Sequence, residues 1–285
     1  MHSAKKLTRQ AISMNSRYHA GLVAFKKRCT DYSSIKKFLD DVFEKQEFKA
    51  FLQTQSKVQI ADIGCGDGAI TEYLVKMLTG TTLHKIQLDV VEPINDYVAL
   101  TKARLNPFRG LNFEVSYHPT RAEDYFQPLT AAQYDFVFSS HSLHLMPLTA
   151  LDDIASALKP GGYFVVVIGA RTSIMSTLKD LFVFQPAITG EDILRVMKEQ
   201  HPEFEVEKTS QPSFLDLRGV DLPENKADLT EETKNILSLM VQKNIDDVDQ
   251  AGYTKARQLI LEKLEDGQLR LDNDGFVFRR SMRLN

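Results

Sequence analysis

The chain has 285 residues, 43% hydrophobic and 26% charged, with a formal net charge of −3. That length and apolar content suffice for a large buried core, and the charged fraction is that of an ordinary globular protein, which excludes wholesale disorder. The balanced charge gives no reason to expect nucleic acid or a membrane surface as partner, and no apolar run is long enough to span a bilayer. Cys29 and Cys65 are the two cysteines and lack metal-ligand spacing, so a reducing, cytoplasmic setting and no bound metal are expected.

Before Asp31 there is no acidic residue, while Lys5, Lys6, Arg9, Arg17, Lys26, Lys27 and Arg28 are basic. No long apolar core or cleavage signal follows, so this start reads as an arm leading into a helix rather than a transit peptide. From Asp31 the pattern turns helical, with Ile35, Phe38, Leu39, Val42 and Phe43 at the spacing of one buried face. Val58 to Ile63 reads as a buried strand, Gly64 to Gly68 as a tight turn, and Ile70, Leu74, Met77 and Leu78 as the stripe of a following helix. Further strands are predicted at Ile86 to Val91, Leu111 to Tyr117, Tyr134 to Ser139 and Tyr163 to Ile168. A helix over Leu151 to Leu158 and a turn at Lys159–Pro160–Gly161–Gly162 precede the last of these. Such alternation implies an α/β chain, doubly wound around a mostly parallel sheet. Beyond residue 170 the predicted helices are Glu191 to Glu199, Thr230 to Asn244 and Tyr253 to Leu264, with a strand at Phe204 to Thr209 and an edge strand at Gly275 to Met282.

The strongest constellation is Ala61–Asp62–Ile63–Gly64–Cys65–Gly66–Asp67–Gly68, placed where open α/β sheets bind ligands, beyond the carboxyl end of a strand. By itself the loop also satisfies a dinucleotide fingerprint, and Glu92 at the end of the second strand suits the ribose in either reading. Four further segments follow in order: Val91–Glu92–Pro93, Ala122–Glu123–Asp124, Tyr134–Asp135–Phe136–Val137–Phe138–Ser139–Ser140 and Leu158–Lys159–Pro160–Gly161–Gly162–Tyr163–Phe164. Together they resemble the motifs of class I S-adenosylmethionine-dependent methyltransferases. The resemblance implies that family's seven-stranded Rossmann-like sheet, S-adenosyl-L-methionine as cofactor, and a site formed by Asp62, Gly64, Cys65, Gly66, Gly68, Glu92, Pro93, Ala122, Glu123, Ser139 and Ser140. Arg121 stands where many members carry an Asp and cannot accept the adenine amino hydrogens, which leaves that contact to backbone near Ala122 or to Glu123 or Asp124. The implied division is a helical arm at 1–50, a cofactor-binding core at 51–170 and a part at 171–285 holding the remaining strands and a substrate-covering helical insertion.

Methyl transfer needs no protein nucleophile, so acceptor choice lies in whatever covers the cofactor. The whole-chain layout is similar to histamine N-methyltransferases, through Tyr18, Phe25–Lys26–Lys27, Phe38–Leu39–Asp40, Val90–Val91–Glu92–Pro93, Tyr117–His118 and Asp135–Phe136. That family binds its amine with a Glu, a Gln and an Asn; by position the counterparts are Asp31, His141 and, on the last strand, approximately Arg280. Asp31 keeps the cation-binding logic and also fits as a cap for a helix beginning near Ser33. His141 is expected to bond a substrate nitrogen or act as a base. A fixed cation at Arg280 favours a carboxylate instead. Tyr18, Phe25, Phe182 and Phe184 are candidates for an aromatic wall or for ordinary packing. The expected protein is a monomeric enzyme methylating a small molecule, first an amine or imidazole nitrogen. A carboxylate or hydroxyl acceptor, an RNA or protein acceptor docked by residues 5–28, and a non-catalytic cofactor-binding protein are the alternatives.

Overall fold

A computed structural model describes residues 16–81, 85–110, 112–129, 132–182 and 188–282. The chain forms two units that alternate along the sequence. A helical unit gathers the stretch ending at Tyr32 with Gly169–Thr189 and Pro212–Asn273; a sheet unit gathers Ser33–Ile168, Gly190–Gln211 and the stretch from Asp274 onward.

The sheet unit is built on seven strands: β1 (Lys57–Ile63), β2 (Lys85–Val91), β3 (Phe113–His118), β4 (Tyr134–Ser140), β5 (Leu158–Gly169), β6 (Phe204–Ser210) and β10 (Asn273–Arg280). Their order is β3-β2-β1-β4-β5-β10-β6, with β1, β2, β3, β4 and β5 parallel and β10 antiparallel to β6. The order reverses between β1 and β4, which makes the carboxyl edge beside them the place for a ligand. Helix α2 (Asp31–Glu44) buries Ile35, Phe38, Leu39, Val42 and Phe43, the face that the periodicity picks out. The next helix, α3 (Gln46–Thr54), sets Phe48 edge-on against Phe136 of β4 at 5.6 Å and Tyr163 of β5 at 4.9 Å. These aromatic contacts tie the early helices to the middle of the sheet.

Two expectations are corrected here. The segment Lys159–Gly162 is not a turn ahead of a strand: β5 already pairs at Leu158 with Tyr134, and the register then jumps to Phe136 opposite Tyr163. The extra residues bulge, and Lys159 reaches Asp135 Oδ2 at 2.8 Å. The last strand is not an edge, because β10 inserts between β5 and β6. Its Phe276, Val277 and Phe278 are all buried, whereas β6 exposes Glu205, Glu207 and Lys208, the charged surface an edge strand tolerates.

In the helical unit, α10 (Glu231–Val241) and α11 (Gln250–Lys263) pack with α8 (Ile174–Phe182) around Ile236, Met240, Tyr253 and Ile260. A small antiparallel sheet of β7 (Ser213–Asp216), β9 (Gln268–Leu271) and β8 (Leu264–Glu265) contributes Leu215 and Leu269 to that core. Its strands are too short for their alternation to stand out in sequence. Among the described residues no helix is long and apolar enough to cross a membrane.

Candidate functional site

The loop after β1 is shaped by two glycines with different reasons to be glycine. Gly64 has φ 68°, donates its N–H to Val91 O at 2.8 Å, and approaches Ser142 so closely that a Cβ would stand 2.3 Å from Ser142 Cβ. Gly66 has φ 55°, but no atom lies within 4 Å of the place its Cβ would take. Its left-handed backbone borders open space, as a surface on which a ligand lies must. The Gly66 N–H donates to Glu92 Oε2 at 3.1 Å, and Glu92 Oε1 accepts from Ile94 N at 3.0 Å, so the carboxylate at the end of β2 is held by backbone on both oxygens. Helix α5 (Asn95–Leu105) braces the loop from behind: Thr101 Oγ1 donates to Gly66 O at 3.1 Å and lies 3.2 Å from Cys65 Sγ, and Gly68 packs against the same residue.

The electrostatics of the loop ask for a cation. Asp62, 2% exposed, accepts from Thr71 Oγ1 at 2.6 Å, yet burial pushes its carboxyl up to about 7, with Glu92 adding repulsion. Glu92 is also raised by burial, against the two N–H groups that lower it. The Cys65 thiol is driven well up by burial and then by Asp62, so it stays neutral. Buried carboxylates short of positive charge, beside an open glycine surface, fit the cofactor implied above, which carries a sulfonium, an ammonium and a ribose diol.

The turn after β4 faces the same loop. Ser142 Oγ donates to Ile63 O at 2.7 Å, so the 2.6 Å contact with Ser139 Oγ is a bond in which Ser139 donates. Ser139 is fully buried, and its hydroxyl helps fix this turn. Between them His141 adopts φ 51°, a left-handed conformation uncommon for a side-chain-bearing residue. Its N–H donates to Val167 O at 2.8 Å and its Nε2 is shielded from solvent. Ser140 is half-buried, and His144 lies in the following 3-10 turn, Leu143–Leu145. Sequence reasoning passed over Ser142, although a second serine three residues after Ser139 was the available signal.

In the segment expected to meet the nucleoside, Ala122 is buried at the start of α6 (Ala122–Phe126), and Glu123 Oε1 lies 3.5 Å from Arg121 NH1. Pro93 is exposed at the end of β2. Arg280 is corrected. It donates through NH1 to Leu158 O, and to Ala155 O at 3.4 Å. Leu158 is the first residue of β5, so this guanidinium caps α7 (Ala150–Ala157) at the amino edge of the parallel strands, opposite the glycine loop. Its alternation within β10 was legible; which end of the sheet it reaches was not.

Asp31 belongs to the helical unit. It opens α2 itself, and its Oδ1 accepts from Asn273 Nδ2 at 2.9 Å. Asn273, the first residue of β10, is thus the residue of that strand bonded to Asp31. Phe25 and Phe182 pack against the core of the helical unit, while Phe184 and the side chain of Tyr18 lie outside the described residues, as do Lys5, Lys6 and Arg9. No cluster of three metal-ligating side chains occurs among the described residues.

Residues 61–166 match the methyltransferase domain family. Among solved structures, the chain is similar to a protein from Galdieria sulphuraria provisionally named a sarcosine dimethylglycine methyltransferase (16% identity over 90% of this chain and 86% of that one, TM-score 0.51). It is likewise similar to a provisionally named methyltransferase from Bacillus halodurans C-125 (16% identity, 80% and 94% covered, TM-score 0.53) and to the YcgJ protein of Bacillus subtilis (13%, 82% and 96%, TM-score 0.53). At these identities the likeness is one of fold. A stretch of 118 residues, 41% of the chain, is 26% identical to the non-reducing polyketide synthase ausA of Emericella nidulans and spans 5% of that synthase.

Proposed function

We propose that this class I S-adenosylmethionine-dependent methyltransferase acts on a small molecule, at an amine or imidazole nitrogen. The observation that carries the reading is the His141 turn, clamped through Ser142 to the last carbonyl of β1. That turn adjoins the glycine loop through Ser142, and imidazole is the side chain suited to take a proton near neutral pH.

When bound, the cofactor supplies an electrophilic methyl group on its sulfonium, so the chain's own tasks are positioning and proton management. Glu92 would accept the ribose hydroxyl hydrogens, the Gly66 backbone would lie under the cofactor, and Asp62 would balance its positive charge. His141 would keep the acceptor nitrogen unprotonated by taking its proton at Nε2, so that the lone pair remains available for attack. Asp31 is retained as the amine-binding carboxylate that the histamine N-methyltransferase resemblance implies. The carboxylate or hydroxyl alternative keeps one of its two grounds, the absence of an exact amine-site match; the other, Arg280, is engaged with Leu158 O and Ala155 O.

The test is transfer of labelled methyl from S-adenosylmethionine to histamine and a panel of small amines near neutral pH, with Glu92→Ala as the binding-site control. Transfer that His141→Ala lowers strongly in kcat, with cofactor affinity kept, supports the reading. Cofactor binding without transfer to any amine refutes it.

A further inference from the structure

In strand β2 Asp89 is the one buried charged residue: Ile86, Leu88, Val90 and Val91 are each at most 1% exposed, and Asp89 sits among them at 9%. A carboxylate there must be matched, and both its oxygens are. Oδ2 accepts from Tyr134 OH at 2.8 Å and Oδ1 lies 3.1 Å from His118 Nε2, which completes the pair as a donor. Tyr134 is fully buried and has one hydroxyl hydrogen, which it donates to Asp89, so its oxygen accepts from Tyr125 OH at 2.6 Å. Burial keeps both phenols protonated: Tyr125 is pushed up to about 12 and Tyr134 is raised as well.

The network has a direction in the fold. Asp89 is level with Ala61 and, through it, with Val137, while Tyr134 begins β4 three positions nearer the amino edge. His118, paired with Val91, lies two positions nearer the carboxyl edge. The polar chain thus runs from the start of β4 toward the carboxyl edge and ends at the loop joining His118 to Ala122. At that end His118 O accepts from Glu92 N at 3.1 Å and from Thr120 N at 2.8 Å. Tyr125 lies on α6, just past Ala122 and Glu123, with its ring 4.6 Å from that of His118. The loop is therefore pinned at both ends by one set of hydrogen bonds. Apolar residues such as Phe136 and Phe138 fill other parts of the sheet, whereas a fully matched polar network fixes one geometry.

We propose that Asp89, Tyr134, Tyr125 and His118 are positioning residues that hold the 119–123 segment and Glu92 in the geometry needed to bind the nucleoside of the cofactor. This rests on the assignment of Glu92 and Ala122–Glu123 to the nucleoside end, so the experiment separates the two. Affinity for S-adenosylhomocysteine is measured by calorimetry on the full chain and on Tyr125→Phe, Tyr134→Phe, Glu92→Ala and Asp135→Asn, with hydrogen exchange over residues 118–126 in the absence of ligand. Asp135→Asn is the control for general destabilisation, since it weakens the ion pair with Lys159 outside this network.

Each Tyr→Phe variant removes one oxygen. It is expected to weaken binding about ten-fold, the equivalent of one lost hydrogen bond, and to speed exchange over 119–125. Asp135→Asn is expected to melt lower while keeping affinity within about two-fold. If Glu92→Ala loses affinity but both Tyr→Phe variants keep it, or weaken it no more than Asp135→Asn does, the positioning role is refuted and the site stands. Unchanged exchange over 119–125 in both Tyr→Phe variants refutes it equally. If Glu92→Ala binds normally, the site assignment falls and the proposal with it.

Discussion

Gly64 and Gly66 make opposite demands on an added methyl group, and alanine at each separates folding from binding. At Gly66 the backbone is left-handed with φ 55°, and nothing stands within 4 Å of the new Cβ. The cost to folding is then the left-handed penalty for an L residue, about 1–2 kcal/mol, offset by about 0.4–1 kcal/mol from a less flexible unfolded chain. A net loss near 1 kcal/mol lowers Tm by about 2–4 °C in a chain of this size. The methyl group enters the open space above the loop, where overpacking a bound ligand costs about 1–3 kcal/mol, or roughly 5- to 150-fold in affinity. At Gly64 the same methyl would stand 2.3 Å from Ser142 Cβ, on a residue tied to Ile63 O. Strain and overpacking then add to about 2–5 kcal/mol against folding. Thermal melts and calorimetric titration with S-adenosylhomocysteine read both quantities. A Gly66→Ala protein that binds as wild type, or a Gly64→Ala protein as stable as Gly66→Ala, refutes this account of the loop.

The Asp62 carboxyl is raised in the folded chain from 3.8 to about 7, so its contribution to stability is complete below about pH 4 and is lost as pH rises through about 7. The loss is at most about 4 kcal/mol, and Asp62→Asn should remove it; melts of the ligand-free proteins at pH 5 and pH 8 should show the variant gaining on wild type at the higher pH, and an equal gap at both would be contrary. Asp135→Ala strands the Gln59 N–H that donates to Asp135 Oδ2 at 2.8 Å and removes the partner of Lys159. About 3 kcal/mol should be lost in denaturant titration, and a loss under about 1 kcal/mol would show that the pair does not hold the β5 bulge. Arg280→Ala should cost about 1–2 kcal/mol through the carbonyls of Ala155 and Leu158 and leave methyl transfer untouched; a fall in transfer at equal foldedness would restore Arg280 to the site.

Local chemistry made much of this legible from residues alone. The buried face of α2, strands β1, β2 and β4, and the Asp62–Gly68 loop each announce themselves within a few positions. Periodicity, β-branched runs and closely spaced glycines act over that range. Glu92 was legible too, because it follows directly from the end of a recognisable strand. Residues whose roles depend on distant partners were not legible. No neighbour of Ser142 in sequence names Ile63 O as its hydrogen-bond acceptor, and Arg280 looked like an acceptor residue until β10 placed it over the start of β5. Asp89 is a charged residue among buried apolar ones in β2, and nothing near it in sequence names Tyr134, 45 positions away, as its partner. Strand order, the bulge at Lys159–Gly162 and the alternation of the two units are likewise set by packing between segments far apart in the chain. Sequence pattern records the period and propensity of each segment, while the partner of a buried polar group is chosen only when the whole sheet assembles around it.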